Sequence, residues 1–433
     1  MPASPKPALD LATAESIATE SLDQSDGTAL RAESPRRSPA FYRPELDILR
    51  FCAFLLVFLH HALPHSTAEY SFIAFRPAQQ LLAAIARGGA LGVDLFFALS
   101  AYLITELLLR ESYERGRIDL RSFYIRRILR IWPLYFFALL TLAPLLTLLD
   151  PGDQMPWSYV AGYSLLSGNW VTAAWGYPVS SFALLWTVSI EEQFYLLWPW
   201  VVSSMPALSK QAEPATASFG LGSVTTEPVQ SRDHRERSVP RKALLRWIVG
   251  MVALAWVTRI GLALAGVTHP GVWTNTFARL DPIAGGAALA VLLKGGLPRA
   301  STWVRIGVIG IGAVVLIGLS AAGWHDGWES VVSYPLTAVA CVGILYAMLG
   351  WSGGLTGSWL GSCLGYLGKI SYGLYVLHVA AIRILEKGLA GSKLVMPAAL
   401  LLTIGLAALS YRFLESPFLR LKEKFARVSS RPV

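Results

Sequence analysis

The chain is short of charge. Asp, Glu, Lys and Arg make up 15% of its 433 residues, against roughly 25% in an average soluble protein, while 54% are hydrophobic and mean hydropathy is +0.48. A soluble domain of this size has no place to hide so much apolar surface, so lipid is the expected solvent for most of the chain. Cysteine is scarce: Cys52, Cys341 and Cys363 are odd in number and far apart. That excludes a disulfide framework or a thiolate metal site and suits packing residues. The seven histidines are dispersed apart from His60–His61, so no metal cluster is expected either. No internal repeat is visible. Nor does a short basic start followed by an apolar core open the chain. Residues 1–43, rich in Ser, Pro, Ala and charge, therefore read as a disordered cytoplasmic tail and not as a secretory signal.

What is present is a succession of apolar stretches with short polar breaks. A membrane helix needs about 20 residues. Candidate spans are 46–63, 91–109, 131–149, 183–204, 244–266, 277–293, 304–322, 331–349, 369–386 and 394–414, with 81–90 as a further stretch that enters the membrane region. The expected fold is an all-α integral membrane protein of about ten transmembrane helices. The membrane domain covers 44–420, a flexible cytoplasmic loop 206–241 interrupts it, and 421–433 forms a short tail. With alternating spans and a cytoplasmic start, 29 of the 37 Lys and Arg fall on the cytoplasmic side and 5 outside, leaving Arg50, Arg259 and Arg383 within spans. That bias predicts both termini in the cytoplasm. The net charge of +9 is thus a topological signal. A nucleic-acid partner is excluded by the apolar spans.

A charged side chain at the bilayer centre costs roughly 2.5–3.5 kcal/mol on insertion scales. Ionisable groups inside spans are therefore functional candidates. In LDILRFCAFLLVFLHHA, Arg50 and His61 are 11 residues apart and share one helix face, separated by about 16 Å along the axis. A snorkelling arginine with interfacial histidines is the structural alternative. Asp94 opens the second span and Ser100 lies deeper, where a helix-terminal Asp helped by the dipole is the alternative. In FYIRRILRIWPLY, Arg127 and Arg130 sit at i, i+3 beside Arg126, a pattern that suits phosphate and equally suits anchoring at the inner face. In WTVSIEEQFYLLWP, Glu191 shares a face with Tyr195, either as a functional carboxylate or as half of a buried ion pair with an arginine. Ser371, Tyr375 and His378 line one face of the ninth span, where a hydrogen-bonded structural histidine is the simpler assignment for His378.

Taken in order, these stretches resemble the acyltransferase 3 family of integral membrane acyltransferases, from about residue 43 to 420. The family's basic residue, ten intervening residues and histidine fall on Arg50 and His61. GVDLFFALSAYLI is similar to its second-span signature, with Ser100-Ala101 where the family usually has Ser-Gly. FYIRRILRIWPLY matches its arginine motif at Arg127 and Arg130, WTVSIEEQFYLLWP its glutamate at Glu191, and RLDPIAGGAALA a later motif at Arg279 and Asp281. SYGLYVLH and YRFLESPF match its closing segments.

The resemblance implies transfer of an acyl group, most often acetyl, from cytoplasmic acyl-CoA to an extracytoplasmic hydroxyl, in a bacterial inner membrane. The acceptor would be a glycan or glycolipid such as lipopolysaccharide or exopolysaccharide. Acyl-CoA is then a donor substrate, with no resident cofactor. Under the expected topology Arg50, Arg126, Arg127 and Arg130 form an inner cationic layer for CoA phosphates. His61, Asp94, Glu191, Arg279 and Asp281 form an outer acid–base layer. His61, with an unperturbed pKa near 6.5, is the expected general base, oriented by Asp94 or Glu191. With about twenty residues past the tenth span, no fused extracytoplasmic hydrolase-like domain is expected in this sequence. The expected membrane domain modifies the acceptor itself or hands over to a separate extracytoplasmic acyltransferase. A multi-span transporter or channel with buried charges along its path is the rival function.

Overall fold

Pro44 supplies the fixed φ of a first helical turn, and Glu45 and Asp47 place negative charge at the positive end of the dipole. Helix α1 then runs Pro44–Ala62. The computed structural model describes residue 1 and residues 42–205, 240–323, 326–351, 357–389, 391–392 and 394–425, with the backbone alone of 208–209 and 237–238. Residues 2–41 of the expected tail, most of the expected loop 206–241 and the chain from 426 onward lie outside the described residues.

After α1 come α2 (Arg76–Gly88) and α3 (Gly92–Arg115), joined by a 3₁₀ turn into one 40-residue rod. This absorbs the stretch 81–90. Gly116 ends α3 in the left-handed region, and Asp119 caps α4 (Leu120–Phe137) by accepting from the Ser122 amide at 3.0 Å. The arginine motif therefore rides on a helix that begins before the expected span at 131. Pro133 removes one backbone bond inside α4, and a π turn at 138–142 joins it to α5 (Ala143–Leu149). Two short helices, α6 (Trp157–Ser164) and α7 (Gly168–Trp175), precede α8 (Trp186–Ser203). Then follow α9 (Arg241–Leu264), α10 (Leu280–Leu293), α11 (Thr302–Ala322) and α12 (Glu329–Met348). Last come α13 (Trp359–Lys369), α14 (Ser371–Gly388), α15 (Val395–Ser410) and α16 (Ser416–Glu423), the final pair joined by a second π turn.

Six described stretches are long and apolar enough to cross a membrane: Arg76–Arg115, Leu120–Leu149, Arg241–Leu264, Thr302–Ala322, Glu329–Met348 and Val395–Glu423. The other four expected spans are helical but differ for physical reasons. α1 and α14 carry three acidic or basic residues each within reach of any span-length window, and α8 carries Glu191 and Glu192. α10 has only 14 residues, about 21 Å of rise against a hydrocarbon core of about 30 Å. These are the interior helices. Ten of the 14 residues of α10 are buried, whereas only 17% of the best window of α9 and 22% of that of α11 are. Helices that face lipid can be uniformly apolar, while those that carry polar groups are shielded by them.

The interior packs closely. α10 lies along α3, with Gly286 so near the Ala98 carbonyl that a Cβ would stand 2.0 Å from it. α1 packs on α3, α13 and α14, and a Cβ on Gly368 of α13 would stand 1.8 Å from the Asp47 carbonyl. Glycine is required at both crossings. The close approach brings α1, α3, α4, α8 and α14 around a run of internal space.

Candidate active site

The run begins beside the first turns of α1 and α4. A cavity of about 170 Å³ there is lined by Arg43, Arg50, Arg126, Arg127, Arg130 and Lys422. The arginines are not equivalent. Arg126 donates to Glu111 at 3.1 Å and to the Phe425 carbonyl at 2.8 Å. Arg50 pairs with Asp47 at 2.8 Å. Arg127 stands with its guanidinium 5.5 Å from the ring centres of Phe123 and Tyr195, and its Nε is sealed from solvent with no hydrogen-bond partner. Among the described residues no carboxylate ion-pairs with Arg127 or Arg130 within 4.0 Å. Of the expected phosphate ligands, these two have donors to spare, and Arg126 is largely committed to holding α4 against the end of α3.

Arg50, Ser100, Arg127 and Arg130 also line a second cavity, of about 130 Å³, which continues between α3, α4, α8 and α14. Here the Ser100 and Tyr195 hydroxyls are hydrogen-bonded across α3 and α8. Glu191 faces both hydroxyls and lines the cavity. Glu192 points elsewhere, accepting from Trp132 Nε1 at 3.1 Å. Adjacent residues on a helix diverge by about 100°, and the glutamate pair divides accordingly into one facing the cavity and one facing α4.

Val93, Thr187 and Tyr375 are shared with a third cavity, of about 530 Å³. Thr187 and Tyr375 are hydrogen-bonded at 2.8 Å where the two spaces meet. His61 lines this third cavity with an exposed face. Its Nδ1 donates to the Val57 carbonyl at 2.9 Å and lies 3.2 Å from His378 Nε2. His378 is fully buried, and its own Nδ1 donates to the Tyr375 carbonyl at 2.7 Å. A carbonyl can only accept, so both neutral rings carry their proton on Nδ1. The one Nδ1 proton of His61 is then shared between the Val57 carbonyl and His378 Nε2, and Nε2 of His61, whose ring lines the cavity, is unprotonated. The arrangement can take a proton there.

The side chain brought to His61 Nδ1 is His378, and neither Asp94 nor Glu191 lines the His61 cavity. Asp94 instead pairs with Arg279 at 2.9 Å, both almost fully buried, with the guanidinium 3.9 Å above the Trp273 ring. Asp281 is ion-paired with Arg259, which also donates to the Ala278 carbonyl at 2.8 Å. These two pairs tie α3, α9 and α10 together behind the His61 cavity and expose no carboxylate to it. Arg383, the third in-span arginine, reaches Asp150 at 3.0 Å and Asp153 at 3.7 Å. One buried network escaped sequence reasoning: Asn169 donates to Thr276 at 2.9 Å and accepts from Gln193 at 2.9 Å. These uncharged residues sit on two helices, α7 and α8, and in the turn before α10, with no period in common, and gave no signal.

A model of the acyltransferase 3 family, described as an acyltransferase domain, matches residues 43–412. A provisionally named O-acetyltransferase of Staphylococcus aureus strain MSSA476 is 27% identical over 398 residues, covering 87% of this chain and 57% of the relative. The O-acetyltransferase OatA of S. aureus strain NCTC 8325 is 27% identical over 395 residues, with the same coverage. The chain therefore spans a little over half the length of these relatives. No solved structure matches it. The family match spans residues 43–412, from the turn before α1 into the π turn after α15, which is most of the chain, and the chain therefore belongs to the acyltransferase 3 family.

Proposed function

We propose that the protein is a multi-pass membrane O-acyltransferase that moves an acetyl group from acyl-CoA to a hydroxyl of a surface carbohydrate. The observation that carries this reading is the sequence of three wall-sharing cavities, from a cluster of arginines to a paired imidazole base. Arg127 and Arg130 would hold the CoA phosphates, with Arg50 steering the acyl arm into the Ser100–Tyr195–Glu191 section. The acceptor hydroxyl would enter the 530 Å³ cavity. As its oxygen attacks the thioester carbonyl, the hydroxyl proton passes to His61 Nε2, a C–O bond forms and the C–S bond breaks. The departing thiolate takes up a proton as CoA. The Val57 carbonyl and His378 Nε2 together keep His61 in the productive tautomer, the task a carboxylate performs in hydrolase triads.

Under the positive-inside topology both termini and the arginine cluster face the cytoplasm, where CoA exists, and His61 faces outward. A bacterial plasma membrane, and lipopolysaccharide or exopolysaccharide as acceptor, suit that polarity. The O-acetyltransferase names of the relatives support the reaction class. Hand-over to a separate extracytoplasmic acyltransferase is the variant in which the acceptor is itself a protein. Membrane vesicles given radiolabelled acetyl-CoA test the proposal: label is expected in a glycan fraction. Uptake of an unmodified solute with no labelled product would instead show a transporter.

A further inference from the structure

The 530 Å³ cavity has a feature that the transfer chemistry does not use. Its outer wall is made by three connections from different helix pairs. Tyr177 and Ser180 come from the link between α7 and α8, His269 from that between α9 and α10, and Asp326 from that between α11 and α12. The Tyr177 and His269 rings lie 5.6 Å apart. Asp326 Oδ1 is sealed from solvent and has no hydrogen-bond partner. A buried carboxylate oxygen left without a donor is costly, and a donor arriving with a ligand would satisfy it. Burial holds His269 below the ordinary imidazole range against the opposite pull of Asp326, and among the described residues no cation ion-pairs with Asp326 within 4.0 Å. Arg87, the guanidinium on this wall, donates to the His65 carbonyl at 2.6 Å.

We propose that Asp326 is the acceptor-positioning residue of this cavity, binding a neutral polyhydroxyl ligand by accepting hydrogen bonds from neighbouring sugar hydroxyls. Trp186 and Trp273 add aromatic surface for the apolar face of a sugar ring, and the Ser180 and Tyr177 hydroxyls add donors. A carboxylate accepts from two hydroxyls at once, so it fixes which of several equivalent hydroxyls points at His61. Loops on a rigid helical frame are where such selectivity is commonly carried. The inference rests on the carbohydrate-acyltransferase reading and deepens it.

The test uses purified full-length protein in lipid nanodiscs with labelled acetyl-CoA. The probe is the glycan fraction labelled by wild-type vesicles, extracted, deacylated and titrated back. Asp326→Asn is expected to raise the half-saturating glycan concentration at least tenfold, with KM for acetyl-CoA unchanged and maximal rate within threefold. Ser180→Ala is expected to shift the same parameter by a smaller factor, and it carries the test if Asp326→Asn fails to fold. An unchanged glycan curve for the folded variants overturns the proposal. So does inhibition of the wild type by methylammonium at lower concentration than by methyl glucoside, which would mark a cation site. A wild type that acylates no glycan overturns the underlying reading, and that outcome is seen before any variant is compared.

Discussion

His61 and His378 come from α1 and α14, 317 residues apart, and meet at 3.2 Å. Substituting His378 by Ala is expected to leave KM for acetyl-CoA unchanged and to lower kcat by about 10²-fold, the usual consequence of a displaced reacting group. His378→Gln, which restores an acceptor, should recover part of the loss. An unchanged kcat in a folded His378→Ala protein would make the pair a packing contact only. At the other end, Arg127→Ala removes charge-assisted contacts of about 1.5–3 kcal/mol. The expected result is a KM for acetyl-CoA raised roughly 10- to 100-fold at little cost in kcat, with Arg127→Lys intermediate because it lacks the planar fork. At this scale the sequence was informative wherever one ionisable group broke an apolar run, as at Arg50, His61 and Glu191. It was uninformative about partners. Asp94 resembles a lone membrane carboxylate until Arg279, 185 residues later, is folded against it. His378 looks like an ordinary core histidine until His61 is brought to its side.

Elements are joined by the same pairs that sequence reasoning had assigned to chemistry. Asp94 on α3 and Arg279 at the start of α10 are a buried ion pair, and removing one partner leaves an uncompensated charge. Arg279→Met alone is expected to destabilise the protein by about 3–5 kcal/mol, and the double variant Asp94→Leu/Arg279→Met to regain most of it. Thermal unfolding in detergent measures the stability, and acyl transfer per folded molecule separates the roles. A stable, active double variant assigns Asp94 to structure, and a stable, inactive one returns it to catalysis. A second clasp joins the end of α5 to α14. Lys387, with help from Arg383, holds the Asp150 carboxyl down at about 2, below its ordinary 3.8. A carboxylate with a depressed folded value contributes stability that is complete above its unfolded value and lost as pH falls toward the folded one. The Tm deficit of Lys387→Met should therefore be equal at pH 5 and pH 8 and shrink only below about pH 4. A deficit that varies between pH 5 and pH 8 would assign it to another group. The helices of the ten expected spans were legible from hydropathy, whereas α6, α7 and α13, short helices between those spans, were not. Helix boundaries were not legible where a polar sequence stays helical, as in the roughly three turns before residue 131 that carry the arginine motif.

The whole molecule sorts its helices by what surrounds them. Six stretches meet the demands of lipid, while α1, α8, α10 and α14 carry the polar side chains inside the bundle. A count of ten spans from hydropathy treats these classes alike, because composition records how apolar a segment is and not which neighbours cover it. Enclosure by apolar helices is also what lets three cavities run end to end without exposing their charges to lipid. The joint presence of an arginine cluster and an imidazole pair at opposite ends of that run is a property of the fold as a whole, and no single motif displays it.

The central claim is that His61 accepts a proton during acyl transfer at the far end of this run. The most direct measurement compares wild type and His61→Ala in membrane vesicles given radiolabelled acetyl-CoA, following label into glycan, lipid and protein fractions, with folding and insertion checked for both. The account predicts labelled glycan in the wild type, lost by at least two orders of magnitude in the folded variant, in keeping with the weight of general-base catalysis. Undiminished glycan labelling by inserted His61→Ala would contradict it.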